Sequence, residues 1–394
     1  MLNLVYIVNA RMPTEKAHGY QIAKMCEEFT RAGASVELIV PTRDNPIDQD
    51  VFTYYKLDWT FAVRKVKSYD FLRWVGVHKA AAFYAQSLAF WLKLWRLPLE
   101  KEIIVYTRNP EIVWLFKRRG FRVAYECHDW FGKKKNLALF LLKKCDLIIT
   151  TNPFIREQFL KHNFAPRRIL LAPNGVNVDL FGRQLDKKEA VNRLPLGREQ
   201  RGRWLNSQVL LYTGSFRTMG EDKGIADIFK ALKILKNPQL LFVAVGGNKE
   251  DIAYYQSLLS GIGTSLAQQV LLLPRATQQE LAIFQQAANI LLMPFPDRVH
   301  YRYFMTPLKM FEYLAAGKPI IASDLPSIRA VLNSRNCFFC RPDDPLSLAS
   351  TIREILSSPQ EAQRRARHAS QDSRQYSWSA RAEKILSRLN SLFQ

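Results

Sequence analysis

Short apolar runs alternate with longer stretches of helical spacing along this chain. Residues 2–8 are apolar except for Asn3, as in a strand buried on both faces of a parallel sheet. A polar loop follows. Helical spacing then runs from about Tyr20 to Arg31, with Gly33 as its stop, and a second apolar run at 36–40 ends at Pro41. Strand, loop, helix, strand is one βαβ unit. Further strands are expected at 103–107, at 122–129 with Glu126, His128 and Asp129 at its C-terminal end, and from 145 and 169, and the rhythm restarts with apolar runs from 209, 240, 270 and 290. An α/β protein of two doubly wound domains is predicted, with its chemistry at the C-terminal ends of the strands. The charged, Gly- and Arg-containing stretch 181–207 reads as a linker between a first domain of 1–180 and a second of 208–370.

The stretch 304–324 holds the most chemistry. Thr306 is a capping residue type, and Pro307 suits a first helical position, where a missing N–H costs nothing. Leu308, Phe311, Leu314 and Ala315 recur at helical spacing, Gly317 ends the helix, and Pro319 leads into a short buried strand. A helix start carries partial positive charge and free N–H donors, which suits a phosphate. Glu312 has two readings. It can accept hydrogen bonds from two vicinal hydroxyls, as a ribose presents, or it is a surface acid paired with Lys309 one turn earlier. Spacing alone favours the surface pair.

Residues 306–324 resemble the donor-binding signature of glycosyltransferase family 4, whose members are retaining, nucleotide-sugar-dependent enzymes of the GT-B fold. The resemblance implies that Glu312 is the second Glu of the family's E-x7-E motif and holds the donor ribose. The first Glu falls at Phe304, so backbone groups around Met305 and Thr306 are expected to take over part of its role, beside Pro307 and Leu308. The Gly loop that opens at Gly214 ends in Lys223 and Gly224, and a Gly loop with a cation can cradle a diphosphate. The family clamps that diphosphate with an Arg and a Lys. Lys223 fits the Lys, Ser215 stands at the Arg position, and Arg217 is expected to reach in instead. Glu126, His128 and Asp129 match the family's Glu-x-His-Asp pattern, which places His128 near the donor sugar. Residues 13–22 and 172–179 resemble two further family segments. Gly19 would let a phosphate approach the backbone, while His18 either points into the cleft or is an exposed loop residue.

The resemblance thus implies a GT-B protein with its active site between two domains. His128, Lys223 and Glu312 would be catalytic, and residues 371–394 would form a helix returning to the N-terminal domain through Trp378 and Phe393. A nucleotide-diphosphate sugar is the expected donor, with no metal and no other cofactor.

Charge adds a partner. The 394 residues carry a formal net charge of +22, which attracts a membrane surface, a nucleic acid or a phosphorylated substrate. None of the usual nucleic-acid-binding motifs is present, so no nucleic acid is expected, although a basic nucleic-acid-binding protein stays as one alternative. The other alternative, raised by Phe304 and Ser215, is a GT-B relative with altered chemistry, a sugar-nucleotide epimerase or an inactive scaffold. Residues 71–97 intersperse Trp74, Phe83, Tyr84, Phe90, Trp91 and Trp95 with Arg73, Lys79, Lys93 and Arg96. Tyr84, Leu88, Trp91 and Trp95 share one helical face, which either lies at a lipid interface or is buried in the core; the run is too short to span a bilayer. Basic clusters at 117–119, 133–135 and 143–144 favour a membrane-facing first half. The expected acceptor is a lipid-linked or cell-envelope glycan, and the expected place is the cytoplasm, peripheral on the inner face of the membrane. Residues 1–8 read as a strand, not a signal peptide. Five scattered cysteines, Cys337 and Cys340 among them, read as buried free thiols, and Asp48 and Asp50 as solvated surface.

Overall fold

The computed structural model describes residues 2–69, 79–218 and 220–393. The chain divides into two units: Met1–Pro173 with Trp378–Gln394, and Asn174–Ser377.

The first unit is built on strands β1 (Asn3–Ile7), β2 (Ser35–Pro41), β3 (Ala62–Val66), β4 (Ile104–Thr107), β5 (Arg122–Cys127), β6 (Leu147–Thr150) and β7 (Ile169–Leu171). They form one sheet in the order β3-β2-β1-β4-β5-β6-β7, every pair parallel. Leu38, Val105 and Ile148 are fully buried, because helices cover both faces. Strand order reverses between β1 and β4, the place where an open parallel sheet leaves a crevice. The helix Trp378–Phe393 packs on the helix Ala17–Arg31. Trp378 is buried edge-on to Tyr20, with ring centroids 6.4 Å apart, and Arg122 lies over the Phe393 ring.

The second unit contains β8 (Gln208–Thr213), the small hairpin β9 (Arg217–Thr218) and β10 (Glu221–Asp222), then β11 (Leu240–Gly247), β12 (Val270–Pro274), β13 (Ile290–Met293), β14 (Ile320–Ser323) and β15 (Phe338–Cys340). Its main sheet is also parallel, in the order β12-β11-β8-β13-β14-β15, and reverses between β8 and β13.

Residues 181–207 are not a linker. The helices Lys187–Arg193 and Arg198–Leu205 bury Ala190, Val191 and Trp204 in the core of the second unit. The Trp204 indole donates to the Ala287 carbonyl at 2.9 Å. Polar composition hid this, because only one narrow stripe of each helix faces inward.

The helix Lys79–Trp95 has two apolar faces. Ala82, Phe90 and Leu94 are buried, while Tyr84, Leu88 and Leu92 are exposed, and Trp91 stacks on Trp114 at 6.1 Å. Core helix and unpaired apolar face are therefore both present. Arg73 and Trp74 lie outside the described residues, as does Met219. All five cysteines are buried thiols. Asp50 caps the helix Val51–Tyr55 by accepting from the N–H groups of Phe52 and Thr53. Among the described residues no helix is long and apolar enough to cross a membrane.

Replacing Trp204 with Ala should cost about 3–5 kcal/mol, the usual loss for a buried aromatic. Urea denaturation measures it. A change below about 1 kcal/mol would place the segment outside the core.

Candidate functional site

In the first unit, the polar groups gather beyond the ends of β1, β4 and β5. His128 follows β5, and its Nε2 is hydrogen-bonded to Glu126 Oε1. A carboxylate only accepts, so that nitrogen carries the proton and Nδ1 keeps its lone pair. Gln21 Nε2 lies 3.3 Å from the imidazole, and Arg108 donates to Gln21 Oε1 at 3.1 Å. Glu126 also accepts from Tyr106 OH and, at 2.8 Å, from Arg381 of the C-terminal helix. Burial pushes the Glu126 carboxyl up, but Arg381, His128 and Arg108 outweigh it and hold the group well below the usual range. His128 is pushed down to about 4, by burial and then by Arg108, so the imidazole is neutral near pH 7.

A cavity of about 580 Å³ opens at the ends of β1 and β2. The bases Arg11, Lys16 and Arg43 and the acids Glu15 and Asp44 line it with His18, together with Phe83 from the two-faced helix, and Arg11 is paired with Glu15. His18 thus borders a cavity, and burial lowers it to about 4. Gly19 has a packing reason to be glycine, apart from the expected approach of a phosphate. It sits inside the helix Ala17–Arg31, its N–H donates to the Lys16 carbonyl, and a Cβ would meet Tyr55 OH at 2.1 Å. The absent side chain makes room for Tyr55.

In the second unit, the loops after β8 and β13 meet at the reversal of strand order. Gly224 has φ +92°, and a Cβ there would meet the Pro294 carbonyl oxygen at 1.8 Å, so only glycine lets these loops touch. Lys223, just before it, donates to Ser215 Oγ at 2.7 Å. Burial lowers its amine to about 8. Gly214 closes the end of β8 with φ +108°. Arg217 is turned elsewhere: its Nε donates to Asp251 at 2.7 Å and its guanidinium lies over the Tyr254 ring. The structure thus gives Arg217 a carboxylate partner in place of the expected phosphate contact.

The helix at 308 begins later than its sequence suggests. It spans Leu308–Ala316, and Pro307 stands at its cap with no side-chain cap bond. Thr306 is not the cap, because a turn of π-helix at His300–Phe304 precedes it and feeds an extended Met305. The Met305 N–H donates to the His300 carbonyl and so is not available to a sugar. The Thr306 carbonyl accepts from Asn174 at 2.7 Å. The first turn, at Leu308, still presents the N–H groups that no helical carbonyl satisfies.

Lys309 and Glu312 are not a surface pair; both are buried. Glu312 accepts a long 3.5 Å contact from Gln285 and a hydrogen bond from Gln278, and burial pushes its carboxyl up to about 7 against the pull of Lys309 and these donors. Among the described residues Lys309 Nζ has no hydrogen-bond partner, and it lies 3.4 Å from the centroid of the Tyr212 ring. Sequence spacing placed this lysine at the surface. The one available signal was its position in a helix whose other residues, Glu312 apart, are apolar or aromatic.

This arrangement can cradle an anion beside a hydroxyl-bearing group: cations and backbone donors at the helix start, and an acid one turn further in. Residues 207–358 match the family described as glycosyl transferases group 1, and residues 19–180 match glycosyltransferase family 4. The chain is 27% identical over 305 residues to a D-inositol 3-phosphate glycosyltransferase of Thermobispora bispora, covering 71% of this chain and 68% of that protein. It is 25% identical to the Bacillus subtilis protein named putative teichuronic acid biosynthesis glycosyltransferase TuaH, over 60% of this chain and 58% of that one. The structure of Anabaena Alr3699/HepE in complex with UDP superposes with a TM-score of 0.72 at 16% identity, covering 99% of this chain and all of the other. That likeness is one of fold.

Glu312 gives a pH-dependent stability term. Its folded value of about 7 exceeds the unfolded 4.5, so the fold penalises the charged form. The penalty is absent below the unfolded value and complete above about pH 7. Glu312→Gln should therefore raise the melting temperature more at pH 8 than at pH 5, by the equivalent of at most about 3 kcal/mol. Thermal melts at the two pH values measure it, and an equal change at both would show that the carboxylate is paired.

Proposed function

The chain belongs to the family 4, group 1 glycosyltransferases of the GT-B fold, and from that membership we propose that it moves a sugar from a nucleotide-diphosphate sugar to a glycan or lipid-linked acceptor. The observation that carries the reading is the cradle of the second unit: Gly214 and Lys223 at the end of β8, the helix start at Leu308, and buried Glu312 inside that helix. UDP in the Anabaena neighbour supports a nucleoside diphosphate as the occupant.

In this reading Lys223 and the helix N-terminus stabilise the departing diphosphate, and Glu312 accepts hydrogen bonds from the ribose hydroxyls. The acceptor hydroxyl oxygen bonds to the anomeric carbon on the face from which the phosphate oxygen leaves, and its proton passes to that phosphate. The product keeps the anomeric configuration. The fixed positive charges take the place of a divalent metal, so no metal and no cofactor are required. Neutral His128 is a hydrogen-bonding contact for a sugar hydroxyl rather than a cation.

The acceptor side of the proposal rests on the first unit. Phe83 belongs both to the polar, mixed-charge cavity and to the helix whose outer face is apolar. Leu88 is 57% exposed, and Phe140, on the helix Lys135–Leu142, is 63% exposed. Lys134 donates to Tyr84 OH at 2.7 Å, so basic and apolar side chains share this surface. It suits the headgroups of an anionic membrane at the cytoplasmic face and a lipid-linked or cell-envelope acceptor.

Lys223→Ala and Glu312→Ala should each lower transfer at least about tenfold, since charge-assisted contacts contribute ~1.5–3 kcal/mol. Donor consumption over a panel of nucleotide sugars, with and without chelator, reads this. Wild-type rates in both variants would remove the cradle from the reaction, and loss of turnover in chelator would overturn the metal-free mechanism. Leu88→Glu with Phe140→Glu should weaken sedimentation with phosphatidylglycerol vesicles about tenfold or more, as two apolar contacts are lost and two negative charges gained. Unchanged sedimentation would exclude this face.

A further inference from the structure

The family's second diphosphate cation is missing from its usual place. Ser215 stands where an Arg is expected, and Arg217 is tied to Asp251. Another cation lies close to the same loop. Lys309 Nζ is buried and makes no hydrogen bond among the described residues. Were Gly214 given a Cβ, that atom would lie 3.5 Å from Lys309 Nζ. The short Ser215 side chain beside Gly214 is held by Lys223 Nζ at 2.7 Å. Lys309 and Lys223 therefore converge on the end of β8 without a carboxylate that bonds either among the described residues.

An ammonium shut away from water without a partner is costly unless something else pairs with it. The two aromatic faces near it, Tyr212 at 3.4 Å and Phe295 at 5.2 Å, repay only part of that cost. Glu312, one turn along the same helix, makes no ion pair with it among the described residues and accepts from Gln285 and Gln278 instead, although its charge still acts on Lys309. Burial first, and then the nearby charge of Lys223, depress the Lys309 amine well below its ordinary value, against the pull of Glu312. A dianion there would relieve both.

We infer that Lys309 is a donor-binding residue that supplies, with Lys223, the second cation against the donor's diphosphate, in place of the arginine absent at Ser215. The inference rests on the donor reading above. The four-carbon stem lets the ammonium swing from the Tyr212 ring toward a phosphate, past the side of Gly214 that carries no Cβ. Tyr212 then acts as a resting place that keeps the charge near the cradle.

Isothermal titration of the full chain tests this, using whichever of UDP, GDP, ADP or dTDP binds the wild type, and the matching nucleoside. Lys309→Met keeps the length and apolar volume of the stem and removes the charge. It should weaken diphosphate binding at least about tenfold, leave nucleoside binding unchanged, and leave the melting temperature equal or higher. Glu312→Gln should weaken both ligands, because its partner is the ribose. Undiminished diphosphate binding by Lys309→Met overturns the inference and leaves the donor reading intact. Equal loss for nucleoside and diphosphate, or a lowered melting temperature, makes Lys309 a packing residue and also overturns it. Wild-type protein that binds none of the four diphosphates overturns the donor reading and this inference with it.

Discussion

A parallel strand leaves its sheet at one edge and must return to the opposite edge before the next strand begins. All the loops that follow strands therefore collect on one side of each sheet. The placement of every candidate group depends on this constraint. Asn9 follows β1, Arg43 follows β2, Asn109 follows β4 and His128 follows β5; the Asn9 N–H donates to Asn109 Oδ1 at 3.1 Å across the reversal in strand order. In the second unit the same rule brings the loop of Ser215 and Lys223 against Pro294, at the reversal between β8 and β13. Positions far apart in the chain become neighbours without any sequence signal that pairs them.

The same constraint explains what was legible in the residues. A strand covered on both faces is apolar at nearly every position, so runs such as 209–213 and 290–293 declare themselves. The glycines between loops are legible for a similar reason, since Gly224 stands where any Cβ would strike Pro294. Helices that bury one narrow stripe are harder to see. Lys187–Arg193 and Arg198–Leu205 carry mostly charged residues, and a single buried Trp204 decides their place. The start of the helix at 308 was misplaced because a π-turn, which has no composition signature, stands where Thr306 was expected to cap. Arg381 could not be found at all. It completes the shell of Glu126 from 255 positions away, and nothing in the last helix marks it among the other basic residues.

Burial of charge separates the groups that hold the fold from those that await a partner. Lys24, Glu27 and Glu28 are buried on one helix, and each ion pairs with another. Such clusters contribute little net stability but are costly to break, so they set geometry. Lys309 has the same degree of burial and no such pairing among the described residues. The difference is not one of residue type or exposure. It lies in whether the surrounding elements supply the opposite charge.

Glu126 and Glu312 carry that argument to the acids. Both are buried carboxyls near the C-terminal edge of a parallel sheet. Glu126 accepts from Tyr106, His128 and Arg381, and its proton affinity falls well below the usual range even though burial opposes this. Every lone pair it needs to satisfy has a donor, so it can fix the orientation of His128 but has little left to offer a ligand. Glu312 accepts only from the neutral amides of Gln285, at a long 3.5 Å, and Gln278 among the described residues, and its proton affinity rises to about 7. A fold that gained nothing from this acid would lose nothing by replacing it with an apolar residue of the same size. A carboxyl bonded only by neutral amides, close to an ammonium that no hydrogen bond pairs among the described residues, is what the proposed donor site would need before its ligand arrives: charged groups already in place with capacity for further bonds.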